Sequence, residues 1–153
     1  MPETSPANAS TSPCFKHGCA ECCYETEMPL QNADIQRLEK AGHAREKFAN
    51  VNEEHGFALL KNTEPTDGSR PHCVFLVESK CSVYEHRPDG CRYYPIVYQP
   101  AKRGPVRDTE CPHNTEFNVT AAHFKTLPLI IKQLTKEARH RREAAEAAKS
   151  EKA

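Results

Sequence analysis

The sequence predicts a small α+β domain, and three features of the chain support this fold class. The chain has 153 residues, which suits one domain with tails. Two β-prone runs, residues 73–77 and 81–84, are separated by the polar segment 78–80 and predict a short β-hairpin. A segment that begins at Thr120 repeats apolar residues at helical spacing and predicts a long C-terminal helix.

The segments before the hairpin alternate between turn-rich and helical patterns. Residues 1–13 are rich in Pro, Ser, Thr and Ala, which is typical of a disordered tail. The cysteine-rich segment that follows predicts a loop. Asn32 can cap a helix that ends at Gly42. A weaker helical pattern covers residues 44–51, and residues 64–71 predict a turn-rich linker.

The segments after the hairpin predict short elements and then the long helix. Residues 87–90 should end the second hairpin strand, a helical turn should cover 91–94, and 96–98 should form a further strand. The long helix should follow a Thr120 cap and bend at Pro128. Its predicted buried face consists of Phe124, Leu127, Ile131, Leu134 and Ala138.

These patterns predict a domain over residues 14–138, with a disordered tail before it and a second tail after it. Residues 139–153 are charged or Ala-rich and should form a solvated helical or disordered tail. Basic residues between positions 132 and 149 have no aromatic residues among them, so a solvated helix is favoured over a nucleic-acid surface.

Composition narrows the class of protein. The 21 basic and 21 acidic residues cancel, so no overall field attracts nucleic acid or an anionic membrane. No apolar run approaches the roughly 20 residues that cross a bilayer. With 37% hydrophobic residues and no Trp, the core should be thin, and bound metal could supply the missing stability.

Cysteine is the most informative residue type in this chain. Eight cysteines occur, four of them within ten residues: Cys14, Cys19, Cys22, Cys23, Cys73, Cys81, Cys91 and Cys111. Residues 1–13 have neither a basic nor an apolar signal region, so we expect a cytoplasmic location in which thiols stay reduced. Crowded, reduced cysteines indicate metal ligation rather than a disulfide framework.

All eight cysteines are therefore candidate metal ligands, and their spacing leaves the partition open. Cys19 and Cys22 form a C-x2-C pair that can wrap a tight turn around a metal, and Cys14 can join from the same loop. Cys23 could serve a second centre or act as an alternative ligand. Cys73 and Cys81 should face each other across the hairpin. Two four-thiolate centres and one centre with spare cysteines both fit this spacing.

The spacing favours an iron–sulfur cluster, with zinc as the alternative. No second C-x2-C or H-x3-5-H half supports an ordinary zinc finger. His17, His72 and His113 lie near cysteines, but we expect them to be solvent-facing neighbours. The C-x4-C-x2-C spacing is similar to that of plant-type ferredoxins, and Cys111-Pro112 is similar to the end of the bacterial motif.

Two cysteine blocks together resemble a known family. The first block spans residues 14–23, and the second runs from Cys73 through Lys80-Cys81 and Arg87-Pro88 to Cys91 and Pro95. They are similar to the CxxCxxCC, or YkgJ-type, cysteine-cluster family, described as zinc- or iron-chelating. The resemblance covers residues 14–113 and implies metal binding without choosing the metal. The four-residue gap after Cys14 is longer than is usual in the family and makes Cys14 the least secure ligand.

The resemblance also bears on the residues around the metal. A four-thiolate cluster is an anion, so Arg87 and Arg92 are interpreted as cofactor-binding residues that offset its charge. Tyr84, Tyr93 and Tyr94 are interpreted as packing around the site. Related cysteine clusters occur in flagellin lysine N-methylases, but about 150 residues leave little room for a cosubstrate domain.

Two functional hypotheses follow from the residues, and the family resemblance adds protein lysine methylation as a third. The first is a protein with an iron–sulfur cluster and a redox or metal-handling role. The second is a structural zinc module that docks a protein partner. Whether the protein is an enzyme is left open. We expect a metal ion or cluster as its ligand, and neither a membrane nor a nucleic acid as its partner.

Overall fold

A computed structural model describes residues 13–151, apart from the side chain of Phe15. The disordered tail predicted for residues 1–13 lies outside this range except for Pro13, which begins helix α1 (Pro13–Lys16). Helices and small antiparallel sheets alternate along the chain, so the predicted α+β class is confirmed. None of the described helices combines the length and the apolar character needed to cross a membrane.

A three-stranded antiparallel sheet forms the centre of the N-terminal half. Its strands are β1 (Pro29–Leu30), β2 (Ala49–Val51) and β3 (Ala58–Leu60), in the order β1-β3-β2. The helix predicted over residues 44–51 is wrong beyond α3 (Arg45–Phe48). Residues 49–51 are extended instead, because pairing with β3 satisfies their backbone groups and outweighs a weak helical pattern.

Helix α2 (Asn32–Lys40) lies between this sheet and the later cysteine block. It begins where predicted, but its cap is Gln31 and not Asn32. The Gln31 backbone N–H donates to the Asp34 carboxylate at 2.8 Å, as in a capping box. Gly42, at φ +100°, follows the helix end and fits the predicted stop.

The predicted hairpin exists, but it is shorter than expected. Its strands are β4 (Leu76–Val77) and β5 (Lys80–Cys81), which are joined by Glu78 and Ser79. Both loop residues have positive φ, so the loop has two residues and Lys80 belongs to a strand. Cys81 pairs with Leu76, so the prediction that Cys73 lies opposite Cys81 in the hairpin is wrong.

After the hairpin, the helices and strands are of the predicted types, but they begin and end at residues other than those predicted. Tyr84–His86 forms a 3-10 turn, and helix α4 (Asp89–Tyr93) begins two residues before the predicted turn. Strand β6 (Ile96–Gln99) then pairs with β7 (Gly104–Arg107). The sequence did not reveal β7, because Gly104 and Pro105 are poor strand formers and mask its pattern.

Helix α5 (Ala121–Glu151) packs on the β6–β7 pair. Its buried apolar residues are Leu127, Ile130, Leu134 and Ala138, and the first three share a second core with Ile96. Phe124 is 60% exposed and Ile131 is 39% exposed, so their predicted burial is wrong. Ile130 takes the place predicted for Ile131. Pro128 lies within α5, and the bend there stays a prediction.

A buried acid and a basic residue attach α5 to the N-terminal half. The Asn32 backbone N–H donates to Glu137 Oε1 at 2.7 Å. Arg141 Nη1 donates to the Gly56 carbonyl at 3.2 Å. Gly56 has φ +80°, and a Cβ atom there would collide with the backbone of Ala138. Arg141 is half-buried although it lies in the predicted tail 139–153, and the other side chains from 139 to 151 are exposed.

Candidate metal centre

Three of the four N-terminal cysteines lie on two helical turns, whereas Cys19 lies in the segment between the turns, as the predicted loop requires. Cys14 belongs to α1, and Cys22 and Cys23 belong to a 3-10 turn, Glu21–Cys23. Between them Gly18 has φ +58°, and the Cys19 N–H donates to the Cys14 carbonyl at 2.8 Å. This reversal brings the first cysteine block back onto the domain.

Four cysteines from three parts of the chain border the first hydrophobic core. Cys73 is buried within it, and three half-buried cysteines pack against it: Cys23, Cys81 and Cys91. The Cys73 backbone N–H donates to the Cys23 carbonyl at 2.6 Å, which fastens the first block beside the hairpin. The structure therefore brings together cysteines that are nearly 70 residues apart in sequence.

Electrostatic effects place Cys22 in the same group. Burial raises the pKa of Cys73, Cys81 and Cys91, and a charge on Cys22 raises the pKa of each further. Cys23 donates a hydrogen bond to Cys22, which lowers the pKa of Cys22 to about 7 and raises the pKa of Cys23. Cys22, Cys23, Cys73, Cys81 and Cys91 thus form one group of thiols, the central cysteine group.

Cys19 and Cys111 lie beside the central cysteine group. Burial raises the pKa of Cys111, and charges on Cys19 and Cys22 act on it in the same direction. Cys14 is half-buried and is tied to Cys19 through the backbone bond described above. Ligation by each of the eight cysteines stays a prediction.

Arg87 is the positive charge that acts on the central cysteine group. Its guanidinium carbon lies 3.7 Å from the Tyr84 ring centroid, and its Nε donates to the Tyr84 carbonyl at 2.9 Å. Burial raises the pKa of Cys81 and Cys91, and the Arg87 charge opposes that rise. Arg92 lies half-buried in α4, and its predicted role beside a cofactor stays a prediction.

The sequence interpretation missed the residues that hold Arg87 and Cys91 in place. Arg37 Nη2 donates to the Arg87 carbonyl at 2.8 Å and contacts Asp34 Oδ1 at 2.9 Å. Asp34 is 1% exposed and accepts a hydrogen bond from the Asp89 N–H at the start of α4. Burial raises the pKa of Asp34, and the Gln31 and Asp89 N–H groups oppose that shift. The sequence feature that could have revealed these contacts was Asp34, an acid three residues after the helix cap Gln31.

The tyrosines fit the packing role that the sequence suggested. Tyr93 packs against the second core, and the Tyr84 ring lies under the Arg87 guanidinium. Burial raises the pKa of Tyr94, and its hydrogen bond to Asp108 raises it further, so the phenol stays neutral. None of these contacts assigns a catalytic role to a tyrosine.

His17 is exposed, as was predicted for the three histidines near cysteines, whereas His72 and His113 are half-buried. The His72 ring is half-buried, and its Nδ1 lies 2.9 Å from the Cys73 carbonyl. The His17 and His113 rings are stacked with centroids 4.0 Å apart, and both contact Glu116. Their mutual contact could not be read from the sequence, because 96 positions separate the two residues.

The donor set fits a soft metal centre. All eight cysteines fall within the described residues, and no disulfide joins any two of them. Within the same range, no three cysteine sulfurs all lie within 4.8 Å of one another. The thiols are gathered at the core boundary, where they could ligate zinc or iron.

Cys22 should be the reactive thiol of the metal-free protein. Because its pKa is lowered to about 7, it is largely thiolate at pH 8, whereas burial keeps Cys73 and Cys91 protonated. Brief treatment of apoprotein with iodoacetamide should therefore modify Cys22 well before Cys73 and Cys91, as measured by peptide mass spectrometry. Lowering the pH to 6 should slow the reaction at Cys22. Equal labelling of the three cysteines would contradict this assignment.

Comparison with known proteins identifies the family. The family model CxxCxxCC, described as "Putative zinc- or iron-chelating domain", matches residues 13–122. The chain therefore belongs to the CxxCxxCC family of zinc- or iron-chelating domains, as its cysteine blocks predicted. Comparison with curated proteins and with solved structures gave no match.

Proposed function

We propose that this protein carries an iron–sulfur cluster on the central cysteine group and has a redox or metal-handling role. The observation that supports this proposal most directly is the group of five thiols from three parts of the chain. The positive charge of Arg87 lowers the pKa of thiols in this group. A bound cluster would supply one-electron chemistry. The residues of the chain would hold it, shield it and set the charge around it.

A cluster and a single zinc ion require different spacings of the ligand sulfurs. Four thiolates on one zinc lie about 3.8 Å apart, since each Zn–S bond is about 2.3 Å and the geometry is tetrahedral. In a cubane cluster each thiolate binds a different iron, so the sulfurs stand further apart. No three cysteine sulfurs among residues 13–151 lie within 4.8 Å of one another, so binding a single zinc would require the thiols to move closer together.

The charge around the group supports the same proposal. Burial raises the pKa of Cys73, Cys81 and Cys91, so the site resists an accumulation of bare thiolates. A cluster with four thiolate ligands carries net negative charge, and the Arg87 guanidinium is positioned to offset part of it. Arg37 and Asp34 fix the backbone on either side of Arg87 and so hold that charge in place.

A structural zinc module is the second candidate. Cys73 and Cys81 lie at the boundary of the first core, where a metal would join the N-terminal turn, the hairpin and α4. Metal binding that forms only in the folded state stabilises the fold directly. This candidate implies a protein partner that recognises the surface stabilised by the bound metal. Both candidates require reduced thiols and support a cytoplasmic location.

Purification without oxygen distinguishes the two candidates. The protein should be brown and should contain iron and acid-labile sulfide, with broad visible absorption that bleaches on exposure to air. Inductively coupled plasma mass spectrometry and a sulfide assay measure the two components. Colourless protein with stoichiometric zinc would contradict the cluster and support the structural module. Protein that folds without metal through four disulfides would contradict both.

A further inference from the structure

A second group of metal-binding side chains lies outside the central cysteine group. His17 follows α1, His113 precedes a 3-10 turn, Asn114–Glu116, and Glu116 is the last residue of that turn. One ligand atom from each residue lies within 4.8 Å of the other two. His17 Nε2 is 2.7 Å from Glu116 Oε2, and His113 Nδ1 is 3.4 Å from the same oxygen.

The chemistry of this group is that of a zinc site with an open position. Two imidazoles and one carboxylate form the protein ligand set of several zinc enzymes, which leave the fourth position to water or substrate. Imidazole and carboxylate also bind other first-row divalent ions. The side chains are between 26% and 35% exposed, so an ion in solution can reach all three.

The backbone around the group is held in place without a metal. The Glu116 N–H donates to the His113 carbonyl at 3.0 Å, and Asn114 Nδ2 donates to the Cys111 carbonyl at 2.9 Å. The His17 N–H donates to the Pro13 carbonyl at 3.0 Å. The parallel His17 and His113 rings, with an interplanar angle of 6°, present their nitrogens to the same carboxylate. The backbone that carries the three ligands is therefore held in place, and the two imidazole rings must turn out of their stacked arrangement to bind one metal.

One other charge competes for the carboxylate. Lys16 Nζ lies 3.8 Å from Glu116 Oε1, the oxygen that does not face the histidines. Lys16 is 67% exposed, and an exposed ion pair of this kind contributes little to stability. The oxygen that faces both imidazoles stays available to a metal.

We propose that His17, His113 and Glu116 form a separate binding site for Zn²⁺, with two nitrogen ligands, one oxygen ligand and an exchangeable fourth position. The site needs none of the eight cysteines as a ligand and does not depend on which metal the central cysteine group holds. It would join the N-terminal turn to the segment after Cys111, and its open position would accept water or an anionic ligand.

Zinc titration of the intact protein tests the site. Protein purified with its cysteine centre loaded is titrated with zinc sulfate against a chromophoric chelator, and bound zinc per chain is measured after gel filtration. Wild type should bind one zinc more than Glu116→Gln. The affinity of this zinc should fall about tenfold or more in Glu116→Gln and His113→Gln, since even outer contacts of a zinc ligand contribute that much.

His140→Gln is the matched control, because His140 is an exposed histidine on α5. It should keep wild-type zinc uptake. Cobalt provides a second readout: Co²⁺ at this site should give visible bands without the intense thiolate charge-transfer absorption of a cysteine site. Circular dichroism checks the fold of each variant, and His17→Gln replaces Glu116→Gln if the latter does not fold.

The outcomes separate this site from the proposed cluster. Equal zinc uptake by wild type and Glu116→Gln, or no uptake beyond the cysteine centre, would overturn the site and leave a purely structural His–Glu contact. If the cysteine centre proves to hold zinc, the cluster proposal fails. The one-zinc difference between wild type and Glu116→Gln still supports or refutes the histidine site in that case.

Discussion

Replacement of Cys91 by Ser should remove the metal and lower the thermal stability of the protein together. Cys91 lies in α4, packs against the first core and belongs to the central cysteine group. Metal binding that is coupled to folding contributes about 10 kcal/mol or more in zinc-stabilised peptides. One kcal/mol shifts the melting temperature of a domain of this size by about 2–4 °C, so we expect a fall of about 10 °C or more.

Metal analysis and thermal unfolding, each with and without chelator, measure this effect. Serine is close in size to cysteine, so Cys91→Ser should melt near the temperature of metal-free wild type. Cys81→Ser should behave in the same way. Cys14→Ser is the control, since the long four-residue gap after Cys14 makes it the least secure ligand by spacing. If Cys14→Ser lost the metal and Cys91→Ser kept it, the assignment of the centre to the later cysteine block would be wrong.

The sequence predicted the candidate site better than it predicted the sheets. Cysteine spacing and the second cysteine block identified the family and placed Arg87 beside the thiols. Crowded cysteines carry this information because few structures other than a metal centre use them. The hairpin and α4 were also predicted, since Glu78-Ser79-Lys80 and Arg87-Pro88 are strong local turn signals.

The parts of the fold that the sequence did not predict depend on contacts between residues that are distant in the chain. Strand β2 and strand β7 exist because a partner strand pairs with them, and neither has a strong β pattern of its own. In α5, Ile130 and Ile131 both fit a helical stripe, and the packed surface decides which is buried. The burial of Glu137 could not be predicted from the sequence, because its hydrogen bond to Asn32 spans 105 residues.

Removal of α5 should unfold the domain or leave it poorly packed. Deletion of residues 120–153 takes away Leu127, Ile130 and Leu134 and exposes Ile96, which they cover. Each buried apolar side chain of this size contributes about 1.5–3 kcal/mol. Three of them together approach the total stability of a typical domain, about 5–15 kcal/mol. The loss of the Glu137 hydrogen bond to Asn32 would add to this.

A shorter deletion gives the matched control. Residues 143–151 are exposed, whereas Arg141 donates to the Gly56 carbonyl, so the control deletion begins at residue 143. It should keep the metal content, the circular dichroism spectrum and a melting temperature within a few degrees of wild type, because surface changes away from special contacts alter stability by about 0.5 kcal/mol or less. Hydrogen exchange should then show unchanged protection in β6 and β7 for the control, and lost protection for the deletion of 120–153. The control could instead lose metal or protection to the same extent as the long deletion. In that case the exposed end of α5 would have to contact the domain or its metal centre. The burial of Leu127 and Leu134 would then not explain why the helix is needed.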